Sequence, residues 1–291
     1  MNTRFLTYFV TIAETANFTR AARQLNVAQP AMSVAIKKLE QQLEVPLFHR
    51  NERQVTLTPE GRVLLDHARL ILQQMDDASL AMAELKGLEK GEVRLGIPSM
   101  LGSYFFPEIL MGFRSRYPGI RFSLVEGGAE SVRRMLINGE LDLGIINCGE
   151  VPESLVTEPV LTSQMVAVVS EEHEFSRRKS LSFPDFFNEE LVLFKPGYFH
   201  REHIDEICQR HRLSPKLAFE TNLLPLILKI VRNNFAITAL LEMVTEHEQG
   251  IVSVPFSEPV YLNIAMAWRR NGYLSLAERA FIDFVKKQCQ P

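Results

Sequence analysis

Only three cysteines occur in 291 residues, and Cys148, Cys208 and Cys289 are far apart, with no Cys-x-x-Cys pair. That speaks against a disulfide framework and against a zinc site built from thiolates. Long apolar runs are also missing. Leu223-Leu-Pro-Leu-Ile-Leu228 is among the longest, and it is far too short to span a bilayer. Met1 to Phe5 lead into an amphipathic pattern and not into an unbroken apolar core, so the expectation is a cytoplasmic protein with no signal peptide and no membrane partner. There is no Gly-x-Ser-x-Gly elbow, no glycine-rich phosphate loop and no ordered metal set, so neither an enzyme nor a cofactor is expected. His200 and His203, with Glu206, have metal-pair spacing, but no further ligands stand at conventional spacing. Cys208 has no neighbouring cysteine with which to act as a redox pair.

An excess of one charge sign is lacking overall, since 32 Lys/Arg nearly balance 35 Asp/Glu for a net of −3, yet the charge is unevenly spread. Residues 1–62 hold eight Lys/Arg against five Glu, a surplus of three, which leaves −6 on the other 229 residues. A basic end on an acidic body suits a nucleic-acid contact confined to that end.

What is present centres on residues 18–43. Phe18, Ala21, Ala22 and Leu25 share one helical face, as do Met32, Ile36, Leu39 and Leu43. Asn26 suits a left-handed stop between the two helices, and Pro30 suits the opening turn of the second. The opposite face carries Gln29, Pro30, Ser33, Val34, Lys37 and Lys38, a polar set at a helix start with lysines one turn on. A helix that enters the DNA major groove needs that pattern. Thr19 and Arg20, at the start of the first helix of the pair, complete the candidate DNA contacts on helices. A first helix is expected over 3–16. A β-hairpin wing follows, with strands at Val45–Phe48 and Gln54–Leu57 and with Arg50 and Arg53 at its tip.

Thr58, Pro59 and Glu60 open a helix expected to reach Lys86. Leu64, Ala68, Ile71, Met75, Ala78, Met82 and Leu85 step 4, 3, 4, 3, 4, 3, a heptad seam that predicts a dimerising coiled-coil linker. The domains read as 1–58 winged helix-turn-helix, 59–90 linker helix and 91–291 ligand-binding domain. From Glu92 strands and helices alternate, which predicts an α/β domain of two lobes. Strands are expected at 93–97, 121–126, 141–146, 165–169, 191–194, 217–220, 236–240 and 263–268. Helices are expected near 101–116, 129–138, 199–211, 223–233 and 275–288. Lobe I covers 91–161 and 268–291, and lobe II covers 162–267, so a cleft separates them.

Phe18-Thr-x-Ala-Ala-x-x-Leu25, Val27-x-Gln-Pro-Ala31, Ser33, Ile36, Leu39-Glu40, Val45-Pro-Leu-Phe-x-Arg50 and Leu57-Thr-x-x-Gly61 together resemble the LysR-type transcriptional regulators. Tyr117-Pro118, Gly139-Glu-Leu-Asp-Leu-Gly144 and Phe194-x-Pro-Gly197 are similar to that family's effector domain, which looks like a periplasmic binding protein. The resemblance implies a homodimer or homotetramer on pseudo-palindromic promoter DNA, with RNA polymerase as a further partner and a small-molecule effector in the cleft. Two departures stand out. Val34 replaces an often basic residue and offers a thymine methyl an apolar contact, and Asn233-Asn-Phe-Ala236 replaces a Gly-x-Gly turn.

For the cleft, Ser99, Met100 and Gly102 follow a strand and open a helix, which predicts an anion-binding turn. Gly128 and Ala129 offer a second backbone nest, and Asn147 ends the third strand. Gly197, Phe199 and Thr221 face them from lobe II. The expected effector is a small organic acid or other small metabolite. A solute-binding protein without DNA function is the alternative.

Overall fold

The chain divides close to Gly87 into two compact units, and the computed structural model describes residues 2–51, 54–84, 91–149 and 151–289. The N-terminal unit runs α1 (Thr3–Thr15), α2 (Phe18–Gln24), α3 (Gln29–Leu43), β1 (Phe48–Asn51), β2 (Gln54–Leu57) and α4 (Pro59–Glu84). Side chains start three of these helices. Asn2 and Asn17 each accept an N–H bond at 2.9 Å, from Arg4 and Arg20. Thr58 Oγ1 accepts from the Gly61 N–H at 2.9 Å and donates to the Pro46 carbonyl at 2.7 Å. Left-handed residues stop the helices: Ala16 and Glu44 end α1 and α3, and Asn26 turns α2 into α3 at φ 52° as expected. Leu6, Phe9, Ile12, Met32, Ile36 and Leu39 fill the core, and fully buried Ala21 and Ala22 let the helices close on it.

The first strand of the wing forms three residues later than expected, and the second forms at Gln54–Leu57 as expected. Phe48 is buried, 5.3 Å from the Phe9 ring and 5.8 Å from the Phe18 ring. That anchor starts β1 at Phe48 and pairs Phe48 with Leu57 and Asn51 with Gln54. Arg50 therefore lies in a strand, not at the tip.

The second unit holds β3 (Gly91–Ile97), α5 (Ser99–Tyr104), α6 (Phe106–Arg116), β4 (Ile120–Glu126), α7 (Ala129–Ile137) and β5 (Leu143–Asn147). Then come β6 (Leu155–Ser170), α8 (Phe183–Phe187), β7 (Glu190–Leu193), α9 (Phe199–His211), β8 (Lys216–Glu220) and α10 (Leu224–Arg232). The chain closes with β9 (Thr238–Leu241), α11 (Met243–His247), β10 (Ile251–Arg269) and α12 (Leu276–Cys289). One six-stranded sheet is ordered β4-β3-β5-β10-β6-β9, and β7 and β8 pair beside it. β3 is parallel to β4 and β5, as the alternation of strand and helix implies. An isolated bridge from Leu191 to Ile237 joins β7 toward β9.

The two lobes share β6 and β10, antiparallel from Ile251↔Ser170 to Arg269↔Leu155. Sequence reading marks only 165–169 and 263–268 of them. Pro159, Pro255 and Pro259 hide the rest, and the register shifts between Pro255 and Val260. Ile264 to Ala267 pair with β5 of lobe I, so that lobe resumes near 264 and not at 268. The helix expected over 101–116 breaks at Phe105, just before Pro107. In the turn before β9, Asn234 takes φ 57°, a left-handed position that glycine commonly fills. None of the described helices is long and apolar enough to cross a membrane.

Candidate functional site

On α3 the two faces separate cleanly. Met32, Ala35, Ile36 and Leu39 are buried, while Gln29, Pro30, Val34, Lys37 and Lys38 are exposed and Ser33 is half-buried. Gln29 Nε2 donates to Ser33 Oγ at 2.9 Å, which pre-arranges that polar pair on the outer face. Thr19 is exposed at the start of α2. Arg20 is exposed on the same helix, and its guanidinium also donates to the Thr15 carbonyl at the end of α1. The Arg50 side chain and all of Arg53 lie outside the described residues, as does Leu85 of the linker seam.

The seam on α4 is split. Ala68 is fully buried, and Leu64 and Ile71 pack with it on the core of the N-terminal unit. They serve that unit because α4 lies against α1. Further along, Met75 (48% exposed), Ala78 and Met82 (59%) face solvent. Leu70, Ile71, Met75 and Ala78 form an apolar strip along that part of α4, with Gln74 among them.

In the second unit the expected cleft residues sort into three groups. Met100, Ala129 and Phe199 are core residues, at 0%, 1% and 1% exposure, in the first turns of α5, α7 and α9. Gly102 continues α5, close over Ile97. At six residues α5 is too short for its dipole to hold an anion alone. Gly128 is no open nest either. A Cβ there would stand 2.2 Å from the Gly197 carbonyl oxygen, so the two glycines bring the backbones of the two lobes into contact.

Ser99, Asn147 and Thr221 remain as ligand candidates. The Ser99 Oγ is buried and has no hydrogen-bond partner. Asn147 is half-buried at the end of β5. Thr221 Oγ1 accepts from the Leu223 N–H at 3.2 Å, which leaves its own proton to donate. Sequence reading missed Arg133 of α7, whose Nε is buried and unpartnered. Burial holds the Glu202 carboxyl of α9 above its usual range, with Arg133 pulling it back from the other lobe.

Two phenols also cross between the lobes. Tyr198 Oη donates to Glu126 Oε1 at 2.8 Å, and Tyr104 Oη donates to Glu248 Oε1 at 2.7 Å. Their partners lie 72 and 144 residues away in sequence, so no local spacing signals them. Met100 Sδ accepts the Leu241 N–H at 3.4 Å, a third inter-lobe contact.

The two histidines of the metal-like pair do not act together. His200 is buried beside the Phe194 and Phe199 rings, whereas His203 Nδ1 contacts the Phe199 carbonyl at 2.9 Å. Among the described residues no three metal-ligating side chains converge. Burial pushes the Cys208 thiol above its usual value, the wrong direction for a reactive thiolate.

A base-reading helix with a wing, in one chain with a two-lobed α/β unit, defines a ligand-responsive DNA-binding protein. Family models give that class its name: the lysR-family bacterial regulatory helix-turn-helix protein matches residues 3–62, and the LysR substrate binding domain matches residues 86–290. The chain belongs to the LysR family of transcriptional regulators. It is 31% identical over 289 residues to the uncharacterized HTH-type transcriptional regulator YwbI of Bacillus subtilis, covering 98% of this chain and 96% of that protein. It shares its fold with a full-length OxyR variant from Pseudomonas aeruginosa (TM-score 0.76, 24% identity, 98% and 95% covered). It also matches full-length CbnR in complex with its target DNA (TM-score 0.70, 21% identity, 99% of each chain covered). The alternative of a solute-binding protein without DNA function falls with the N-terminal match.

Proposed function

We propose that the cleft takes a small organic acid or comparable metabolite, and that its occupancy changes how a homo-oligomer of this chain acts at pseudo-palindromic promoter sites. The observation that carries the acid is the Ser99 hydroxyl, buried and without a partner where β3 runs into α5. A buried donor left unpaired is costly, and a carboxylate oxygen relieves that cost. Arg133 Nε, also buried and unpaired on lobe I, supplies a second donor and the positive charge. The cleft binds and does no chemistry, so the protein is not an enzyme.

Gln29, Pro30, Ser33 and Val34 read base edges, while Lys37 and Lys38 meet phosphates. The helix-turn-helix family match over residues 3–62 supports DNA binding by this unit. Met75, Ala78 and Met82 form the partner-facing part of the α4 seam. The working compartment is the cytoplasm, where promoter DNA and RNA polymerase are met.

Calorimetric titration of the full-length protein with a panel of small carboxylates tests the cleft. Ser99→Ala is expected to weaken the best ligand by about 10- to 100-fold, the range for losing a hydrogen bond to a charged group. Binding to a selected duplex stays unchanged. An unaltered ligand affinity sinks the assignment.

A further inference from the structure

We infer that lobe II carries a second ligand site, separate from the cleft, that takes a zwitterionic amino acid with an apolar side chain. The site is a groove of about 500 Å³ between α9 and the stretch of β10 from Ser257 to Tyr261. His203, Glu206, Ile207 and Arg210 line it from α9, at the i, i+3, i+4, i+7 spacing of one helical stripe. Among the described residues His203 and Glu206 form no metal cluster, and this groove is what they share.

Glu206 and Arg210 carry the argument. They stand four residues apart with the carboxylate on the N-terminal side, the favourable order for an ion pair on a helix. Arg201 and Asp205, at the same spacing on α9, do pair, at 2.8 Å. Glu206 and Arg210 do not, and among the described residues neither is held in an ion pair or a hydrogen bond. Both are exposed and both line the groove, so a free carboxylate and a free guanidinium are presented to whatever fills it.

The polar atoms around them sort by sign. His203 Nδ1 contacts the Phe199 carbonyl at 2.9 Å. A carbonyl only accepts, so Nδ1 carries the proton of the neutral ring and Nε2 keeps its lone pair. Glu206 and His203 Nε2 are then acceptors, suited to an ammonium group. Arg210 and the hydroxyl of Tyr261, which is 58% exposed, are donors suited to a carboxylate. Phe183 and Ile207, each 5% exposed, form an apolar floor on which a side chain can rest. A dicarboxylate or a diamine leaves one of the two protein charges covered without a partner, and a neutral metabolite leaves both. A zwitterion satisfies the two together. α9 opens at Phe199, beside the Gly197–Gly128 contact of the cleft, and the groove lies along the turns that follow, so one helix serves both sites.

Calorimetric titration of the full-length protein with L-leucine, L-methionine and L-phenylalanine tests the site. At least one is expected to bind saturably. Its N-acetyl derivative and its amide are each expected to bind at least about tenfold more weakly, since each removes one charge-assisted hydrogen-bonded pair. Glu206→Gln and Arg210→Gln, changes at exposed positions, are expected to cost the same factor, while Ser99→Ala changes nothing. Absence of saturable binding up to about 10 mM overturns the site. Binding that Ser99→Ala weakens and the two α9 variants leave intact puts the amino acid in the cleft and overturns the site as well. An amide or N-acetyl form that binds as tightly as the free amino acid overturns the zwitterion.

Discussion

At the scale of single residues, His200 displays what burial does to a titratable group. Its ring is 2% exposed, stacks 5.3 Å from Phe194 and lies 3.9 Å from Phe199. Neither nitrogen has a hydrogen-bond partner. Burial, with His203 adding a smaller like-charge effect, lowers its pKa from 6.5 to about 3. The unfolded chain takes a proton near pH 6.5 that the folded chain refuses until about pH 3. Stability from this site is therefore complete above pH 6.5 and is lost as pH falls, at about 1.4 kcal/mol per unit. Urea unfolding at pH 7 and at pH 5 reads it: wild type loses about 2 kcal/mol here, and His200→Phe keeps that amount. Identical pH slopes for the two proteins refute the argument. Asn26 and Thr58 were legible as turn and cap because their chemistry is local. Gly128 was legible as a glycine with a purpose, but the purpose is close backbone contact with Gly197, which only the folded chain reveals.

Elements are legible to the extent that their signal is periodic. α9 matches its expected bounds, Phe199–His211, and most other marked strands and helices in the second unit fall within two residues. β6 and β10 do not, because their polar and proline positions lie where one strand passes from lobe to lobe and burial changes along its length. The heptad seam of α4 shows the opposite failure. Its spacing is regular, yet Leu64, Ala68 and Ile71 belong to the core of their own unit, since a 3.5-residue repeat states which residues share a face and not what covers it. Met75 and Met82 are the part of the seam that this core does not cover. Met75→Glu with Met82→Glu is expected to reduce the mass measured by sedimentation equilibrium and to leave helical circular dichroism unchanged, because neither side chain touches the core. An assembly of unchanged mass removes α4 from the interface.

Across the whole second unit, the two lobes are tied by more than their shared strands. Tyr104–Glu248, Tyr198–Glu126 and Met100–Leu241 each join lobe I to lobe II, and Gly128 rests against Gly197. Burial and the neighbouring carboxylates push both phenols above their usual pKa, so each remains a proton donor across the neutral range. Their hydrogen bonds to a charged acceptor carry about 1.5–3 kcal/mol apiece where they are fully shielded, and less here because both pairs are part-exposed. The lobes open only by breaking them. If the closed cleft is the form that holds the effector, the population of that form sets apparent affinity. Tyr104→Phe combined with Tyr198→Phe is then expected to raise the effector dissociation rate about tenfold, the worth of about 1.4 kcal/mol. Stopped-flow release of the ligand found with the carboxylate panel measures this. DNA affinity of the N-terminal unit serves as the internal control, since neither tyrosine belongs to it. An unchanged release rate means that the shared strands β6 and β10 hold the lobes together, and the phenols then only decorate the rim.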